Sequence, residues 1–260
     1  MNGQNIPEIA RKVFVPEEGW TFLSGDYTNL EVFVLAYETG DEKLIEVLTS
    51  GLNIHDENTK VLFEMTPDNP QWKLARRGAK IFQFGCIQYG GSPKEIYGNV
   101  LLEAPGLRLS FAQFERARQR YSETYTGYAA WNKRITYETL QTRKSTTFRG
   151  RVRVLMGAER DIVKQGLNTP IQGGAAHVIN EATIRVQDRI EKEALKTRLV
   201  LQVHDQLVLE VPPGEMKQAK ALLREEMERP VDFKGRLVTF PVELETGKTW
   251  GDLSKEDLDD

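Results

Sequence analysis

Two aspartates in this sequence lie where a divalent cation could be bound. Asp26 follows residues 21–24, an apolar segment that predicts a strand ended by Gly25, and a helix is predicted soon after it. Asp205 follows His204 between two alternating apolar segments, which predicts a carboxylate at the tip of a tight hairpin. Carboxylate oxygens are hard ligands that suit Mg²⁺. The plain alternative at both positions is an aspartate that only stabilises a turn.

A second group of candidate residues lies on one predicted helix, residues 70–84, with Pro70 in its first turn. Arg76, Lys80 and Phe84 are spaced i, i+4, i+8, so they lie on one helix face within about 80° of each other. Two cations and an aromatic ring suit a ligand that combines a polyphosphate with a flat base. The alternative is a solvated basic face that ends in a core phenylalanine.

The elements that must position these residues are helices and strands in mixed order. Apolar spacing and capping residues predict helices over residues 31–50 with a break at 39–40, 53–63, 70–84, 110–140 with a break near 126–127, 171–192 and 215–228. Alternation predicts a hairpin over residues 146–156, paired strands over 199–211 and a last strand over 240–245, and the first nineteen residues are predicted to be extended. This order predicts an α+β fold in which a helical block is inserted into a sheet domain.

Composition sets broad limits on the protein. The 260 residues are enough for one large domain or two smaller ones, and 40% hydrophobic with 28% charged residues is ordinary for a soluble globular protein. The formal net charge of −3 gives no sign of nucleic-acid binding, although basic residues cluster in residues 108–153. The single cysteine, Cys86, excludes an intrachain disulfide. No signal peptide and no apolar segment of membrane-spanning length are recognised.

Taken in order, three segments resemble motifs A, B and C of the family A DNA polymerases. They are GDYTNLEVFVLA at residues 25–36, RRGAKIFQFGCIQYGG at 76–91 and VHDQ at 203–206. Three flanking segments also resemble the family: QNIP at residues 4–7, NIH at 53–55 and NTPIQG at 168–173. The similarity extends over residues 2–251. Each motif alone is a weak or moderate signal, whereas their shared order over this length is a strong one.

The resemblance implies a right-hand fold. It implies a palm with an antiparallel sheet, formed by residues 1–38 and 156–260, and an inserted helical fingers subdomain with the return to the palm, formed by residues 39–155. The thumb that clasps duplex DNA is expected to be absent. The resemblance also implies template-directed DNA synthesis, in which dNMP from a dNTP is added to a primer 3′-hydroxyl and pyrophosphate is released.

Asp26 and Asp205 are then the expected pair that holds two Mg²⁺ ions, with Mn²⁺ as an alternative. Such ions stabilise the attacking and leaving oxygens of an in-line displacement. The resemblance makes Lys80 the expected proton donor to pyrophosphate. It assigns to the incoming dNTP the residues Arg76, Lys80, Phe84, His55, Glu31 and Asn29. Glu31 matches a side chain that leaves no room for a 2′-hydroxyl, which favours deoxynucleotides.

The resemblance assigns a further group of residues to the template–primer: Gln4, Asn5, Tyr89, Lys164, Asn168, Gln172, His204 and Gln206. Tyr89 would be a stacking platform for the templating base. Its spacing departs from the family, because it lies five residues after Phe84 and not four. On a continuous α-helix the extra residue turns Tyr89 by about 100°. A π-bulge or an early helix end could absorb it; otherwise Tyr89 has a different role.

Other departures lie close to the implied site. Gln206 stands where the family usually has glutamate, which removes a negative charge beside the metals. Asn29 replaces the usual glutamine, and Val32 and Phe33 replace the usual leucine and arginine. Lys164 stands where arginine is common, so the charge is kept but the bidentate geometry is lost.

The expected partners are primer–template DNA, dNTPs, and a second polypeptide or an upstream region that supplies the thumb and exonuclease. No membrane association is expected, and we expect a cytoplasmic location in a bacterial or phage-infected cell, with an organelle as the alternative. One competing hypothesis is a catalytically impaired DNA-binding or assembly module that keeps the fold. Another is a single-subunit RNA polymerase, which Glu31 disfavours.

Overall fold

The computed structural model describes residues 6–83, 85 and 91–255. Its helices are α1 (Glu8–Arg11), α2 (Leu30–Thr39), α3 (Glu42–Thr49), α4 (Ile54–Phe63), α5 (Trp72–Phe82), α6 (Pro93–Glu103), α7 (Phe111–Thr124), α8 (Thr126–Thr142), α9 (Glu159–Lys192) and α10 (Met216–Met227). Its strands are β1 (Thr21–Tyr27), β2 (Lys144–Thr146), β3 (Val152–Val154), β4 (Arg198–Val203), β5 (Gln206–Val211), β6 (Val231–Phe233), β7 (Arg236–Val238) and β8 (Val242–Gly247).

The chain divides into two compact units. The first comprises residues 1–30 and 175–260, and the second comprises residues 31–174. The first unit contains a four-stranded antiparallel sheet in the order β4-β5-β1-β8, and the hairpin β6-β7. The second is mainly helical and contains the hairpin β2-β3. The predicted α+β class is therefore confirmed. None of the described helices has the length and apolar character needed to cross a membrane.

Strand β1 is central in the sheet, and its two faces have different neighbours. On one face, a Cβ added at Gly25 would lie 2.6 Å from Met227 Sδ and 3.1 Å from a Leu223 methyl group. Helix α10 therefore packs closely there, and the Tyr27 hydroxyl donates a hydrogen bond of 2.6 Å to the Met227 carbonyl. The other face carries Phe22, which packs with Val203, Val208 and Trp250. Alternation along β1 thus turns Asp26 away from α10.

The second unit is held together by aromatic packing and by buried polar contacts. The rings of Phe82 and Phe114 lie 5.5 Å apart, and those of Tyr121 and Tyr125 lie 4.5 Å apart. The Tyr125 hydroxyl donates to Asn58 Oδ1 at 2.9 Å, which links α4 to the segment between α7 and α8. Such contacts satisfy polar groups that are buried away from solvent.

Several sequence predictions are confirmed. The breaks predicted at residues 39–40 and near 126–127 separate α2 from α3 and α7 from α8. Helix α4 begins after Asn53, whose side chain accepts from the backbone N–H groups of His55 and Asp56. The hairpin predicted around Gly150 is β2-β3, and the paired strands predicted over residues 199–211 are β4 and β5.

The prediction that Gly25 ends the first strand is wrong. Strand β1 continues through Asp26 to Tyr27, because pairing continues on both sides with β5 and β8. Gly25 is needed for the close approach of α10 and is not a terminator. The extended conformation predicted before residue 20 is also wrong over Glu8–Arg11, where Pro7 precedes a short helix.

The prediction that a helix begins at residue 171 is wrong. Helix α9 begins at Glu159 and continues through Pro170. A proline has no N–H, so it leaves the carbonyl four residues earlier, that of Gly166, without its helical donor. The Ser145 hydroxyl donates to that carbonyl at 2.9 Å and replaces the missing bond. Sequence reasoning also missed α6, although Ser92 and Glu95 form a capping box at its start.

Candidate active site

The two candidate aspartates lie beside each other in the first unit. Asp26 is the cross-strand partner of Gln206 on β5 and of Glu243 on β8. Asp205 directly precedes β5, and its carbonyl accepts a hydrogen bond of 3.2 Å from the Tyr27 backbone N–H. The antiparallel pairing therefore brings together two residues that are far apart in the sequence. Two carboxylates must lie this way, side by side, if they are to share a ligand.

The electrostatics of this group are those of crowded carboxylates. Burial, together with the negative charges of Asp205, Glu245 and Glu243, raises the pKa of Asp26 to about 7. Burial also raises the pKa of Asp205, with a smaller opposing effect from a backbone hydrogen bond and from His204. Both shifts show that negative charge is disfavoured here without a compensating cation.

The donor set fits the implied divalent cations. Asp26 and Asp205 offer carboxylate oxygens, the ligands that Mg²⁺ prefers, and a cation would offset the repulsion that raises their pKa values. Within the described residues, no group of three or more His, Cys, Asp or Glu side chains is arranged to hold a metal by itself. A metal bound here would therefore rely on ligands beyond the protein, such as water or phosphate oxygens.

Gln206 has a defined partner. The indole N–H of Trp250 donates to Gln206 Oε1 at 3.0 Å, and the Arg11 guanidinium lies 4.6 Å from the centre of the Trp250 ring. A cavity of about 250 Å³ adjoins them, lined by Arg11, Gln206, Glu245, Trp250, Gly251 and Leu253. The hydrogen bond orients the amide at the position where the family usually has an acid.

The turns beside the aspartates are formed by residues with positive φ. His204 has a φ of 56° and is exposed at the tip of the β4-β5 hairpin. Asn29 also has a φ of 56°, just before α2 begins at Leu30. Asparagine and histidine tolerate this conformation better than most residues. Glu31 lies in the first turn of α2 and is half-buried.

In the second unit, the basic helix face is present. Helix α5 begins at Trp72, two residues later than predicted, since Pro70 lies before it and Asn69 Oδ1 accepts from the Gln71 N–H at 2.8 Å. Arg76 is half-buried and Lys80 is exposed. The predicted helix face thus has both of its cations, while Phe84 lies outside the described residues.

Arg76 is held by the start of helix α4. Its Nε donates to Asp56 Oδ1 at 2.5 Å, and its Nη2 donates to Asn53 Oδ1 at 3.2 Å. Sequence reasoning did not single out Asp56, although an acid one residue after His55 could have suggested a partner for a cation. The two contacts fix the guanidinium between α4 and α5.

His55 is buried beside these cations. Burial, with smaller effects from the charges of Lys80 and Arg76, lowers its pKa to about 4, although a side-chain hydrogen bond with Gln83 and the charge of Asp56 act in the opposite direction. His55 is therefore neutral at pH 7, so it could contribute a hydrogen bond but no positive charge to a phosphate.

The end of α5 departs from regular α-helix. Gln83 and Gly85 are π-helical, which is one of the two ways of absorbing the extra residue that the sequence suggested. Tyr89 lies outside the described residues, as do Gln4 and Asn5.

The remaining predicted contacts lie on α9. Lys164 Nζ lies 3.6 Å from Glu95 Oε2. Asn168 has a buried Oδ1 with no hydrogen-bond partner among the described residues, and Gln172 is exposed. Sequence reasoning missed Glu243 and Glu245 beside the aspartates. Their i, i+2 spacing in a strand was the signal, because it places both side chains on one face.

Comparison with known sequences gives a consistent result. The profile described as DNA polymerase family A matches residues 1–252. The chain is 34% identical over 265 residues to DNA polymerase I of Bacillus caldotenax, covering 96% of this chain and 29% of that protein. It is 34% identical over 271 residues to the thermostable DNA polymerase I of Thermus filiformis, covering 96% of this chain and 30% of that protein.

A solved structure is also similar. It is the POL domain of Pol1 from M. smegmatis in complex with DNA primer-template and dNTP, with a TM-score of 0.83 and 28% sequence identity. The match covers 97% of this chain and 45% of that chain. The present chain spans less than a third of the length of the two curated relatives above.

Proposed function

This chain belongs to DNA polymerase family A, and from this membership we propose that it is the catalytic portion of a template-directed DNA polymerase. It adds dNMP from a dNTP to a primer 3′-hydroxyl and releases pyrophosphate. The observation that carries the proposal is the pairing of β1 with β5, which holds Asp26 beside Asp205. A relative solved with primer-template and dNTP supports the same substrates.

The proposed chemistry is two-metal-ion phosphoryl transfer. Asp26 and Asp205 hold the two divalent ions, Mg²⁺ or in its place Mn²⁺. When bound, these ions lower the pKa of the attacking hydroxyl and stabilise charge on the transferring phosphoryl and leaving groups. The two carboxylates position the ions, and the repulsion between these crowded acids makes a bound cation favourable.

The residues proposed to bind the incoming dNTP belong mainly to the second unit. Arg76 and Lys80 contact the triphosphate, and Lys80 donates a proton to the departing pyrophosphate. His55, neutral at pH 7, donates or accepts a hydrogen bond near the same phosphates. Phe84 packs against the sugar and Asn29 lies near the nucleotide. Glu31 excludes a 2′-hydroxyl, so that dNTPs are preferred over rNTPs.

The template–primer contacts and the subdomains complete the proposal. Residues Gln4, Asn5, Tyr89, Lys164, Asn168, Gln172, His204 and Gln206 contact the template–primer. Residues 1–38 and 156–260 form the palm, and residues 39–155 include the fingers. A thumb and an exonuclease come from a second polypeptide or from an upstream region, and the protein acts in the cytoplasm.

Gln206 motivates a second candidate function, a DNA-binding or assembly module with impaired catalysis. Its amide replaces an acid beside the two aspartates and is engaged by Trp250. Against this candidate, the chain keeps both aspartates, both helix cations and Glu31. A chain released from catalysis has no physical need to keep all five.

Primer extension distinguishes these functions. The chain is incubated with primer–template, Mg²⁺ and either dNTPs or rNTPs, with and without the upstream polypeptide of a relative. We expect short extension products with dNTPs, longer products when the upstream polypeptide is added, and little extension with rNTPs. DNA binding without extension under every condition would favour the assembly module, and efficient use of rNTPs would favour an RNA polymerase.

A further inference from the structure

Asp56 is the residue on which this inference rests. It lies in the first turn of α4, beside the N-cap residue Asn53. Its Oδ1 accepts from Arg76 Nε at 2.5 Å, and the two side chains are 38% and 39% exposed, respectively. Asp56 therefore forms a direct, solvent-accessible ion pair with a cation that the proposed function assigns to the triphosphate.

The geometry leaves Arg76 able to bind another anion. A guanidinium has five N–H donors. Asp56 engages Nε and Asn53 engages one donor of Nη2. The other three N–H groups are not engaged by these two residues. A phosphate could thus bind Arg76 while both contacts to α4 remain.

The two side chains that accept hydrogen bonds from Arg76 differ in charge. Asn53 is neutral, so its contact positions the guanidinium and leaves the positive charge intact. Asp56 positions it and also places a negative charge within hydrogen-bond distance of the same group. A triphosphate that binds Arg76 therefore meets a neighbouring carboxylate of its own sign, and the repulsion weakens binding.

We propose that Asp56 sets the affinity of this polymerase for the triphosphate by offsetting the charge of Arg76. The inference rests on the proposed function and adds a residue to it. Because substrate and pyrophosphate both carry phosphates to Arg76, Asp56 weakens the binding of both. Its effect falls on nucleotide affinity and leaves the chemical step unchanged, since the carboxylate repels bound substrate and transition state alike.

The substitution Asp56→Asn separates charge from position. The asparagine keeps an oxygen that accepts from Arg76 Nε, so only the negative charge is removed. At low salt we expect KM for the dNTP to fall by about three- to tenfold, with kcat unchanged. Inhibition by pyrophosphate should strengthen in proportion. Both effects should shrink as ionic strength rises, because salt screens charges in accessible sites.

Glu57→Gln is the matched control. Glu57 lies in the same first turn of α4 and pairs with Lys60 at 2.6 Å. Its substitution removes the same charge and the same interaction with the helix dipole, but the partner is a different cation. We expect KM for the dNTP to remain within about twofold of the unsubstituted chain. Thermal unfolding of both variants checks that each is folded.

The outcomes distinguish a failure of the inference about Asp56 from a failure of the proposed polymerase function. If the chain incorporates nucleotides and Asp56→Asn leaves KM unchanged or raises it, the inference is wrong and the polymerase proposal stands. An equal fall in KM for Glu57→Gln would also overturn it, since the effect would then be nonspecific. If the unsubstituted chain neither incorporates nucleotide nor binds Mg²⁺-dNTP by calorimetry, the proposed function fails and the inference fails with it.

Discussion

Asp26 and Gln206 are directly opposite each other in the antiparallel pairing of β1 with β5. Because Asp205 precedes Gln206, this register also holds Asp205 beside Asp26. The Gln206 amide is oriented by the indole N–H of Trp250. The two aspartates therefore have a neutral, fixed neighbour at Gln206, where another acid would add to the repulsion already exerted by Glu243 and Glu245.

Gln206→Glu should increase the affinity for divalent cations. The added charge lies next to two carboxylates, while a carboxylate oxygen can still accept from Trp250. We expect the Mg²⁺ concentration for half-maximal incorporation to fall by about two- to fivefold. A magnesium titration of single-nucleotide incorporation measures it. Gln206→Met, which removes the amide without adding charge, should leave the Mg²⁺ dependence unchanged; an unchanged dependence in Gln206→Glu would contradict the charge argument.

The buried His55 predicts how stability depends on pH. Its pKa is about 4 when folded and about 6.5 when unfolded. The unfolded chain therefore binds the proton more tightly, so stability is lost as pH falls from about 6.5 to 4. His55→Gln should remove about 1–3 kcal/mol of that loss. Urea unfolding at pH 7 and pH 4.5 measures it.

The unsubstituted chain, measured at the same two pH values, is the reference for this prediction. If His55→Gln leaves the difference in unfolding free energy between pH 7 and pH 4.5 unchanged, burial does not depress the pKa of His55.

Gly25→Ala should destabilise the first unit. The new methyl group would lie 2.6 Å from Met227 Sδ, so the Met227 side chain or the whole of α10 must shift away from β1. We expect a loss of about 1–3 kcal/mol in the free energy of unfolding, and partial recovery when Met227→Ala is added. Gly98→Ala is the control, since nothing lies within 4 Å of its added Cβ in α6. It should stabilise the chain by about 0.5–1 kcal/mol. Equal effects at both glycines would contradict the packing of α10.

Ser145 and Pro170 should behave as a coupled pair. Ser145→Ala leaves the buried Gly166 carbonyl without the hydroxyl that replaces its helical donor, at a cost of about 1–3 kcal/mol. Pro170→Ala restores the backbone N–H, so the double substitution should cost less than Ser145→Ala alone. A double-mutant cycle by denaturant unfolding measures the coupling, and strictly additive effects would show that the two residues do not share this carbonyl.

These positions show what the sequence could predict. Short motifs and helical spacing are local signals. They were sufficient to find Asp26, Asp205 and the cations Arg76 and Lys80. The α+β class followed from the mixed order of elements in the same way. The residue-by-residue roles carried over from the family stay predictions.

Other features depend on partners distant in the chain. The continuation of β1 through Asp26 depends on pairing with β5 and β8, and the room at Gly25 is set by α10. The hydroxyl that lets α9 continue through Pro170 comes from a different element. The proposed role of Asp56 depends on its ion pair with Arg76, which lies twenty residues later in the sequence. The partners in these contacts are fixed by the fold, so no periodic pattern in the sequence pairs them.

The most direct test of the polymerase proposal is Mg²⁺-dependent incorporation of one complementary dNMP into a primer–template. Four proteins are compared: the unsubstituted chain, Asp26→Ala, Asp205→Ala, and Asp188→Ala as a control at an exposed position on α9. We expect incorporation by the unsubstituted chain and by Asp188→Ala, and a loss of at least about a hundredfold in each of the other two. Incorporation that survives in Asp26→Ala or Asp205→Ala, or that is absent from the unsubstituted chain, would contradict it.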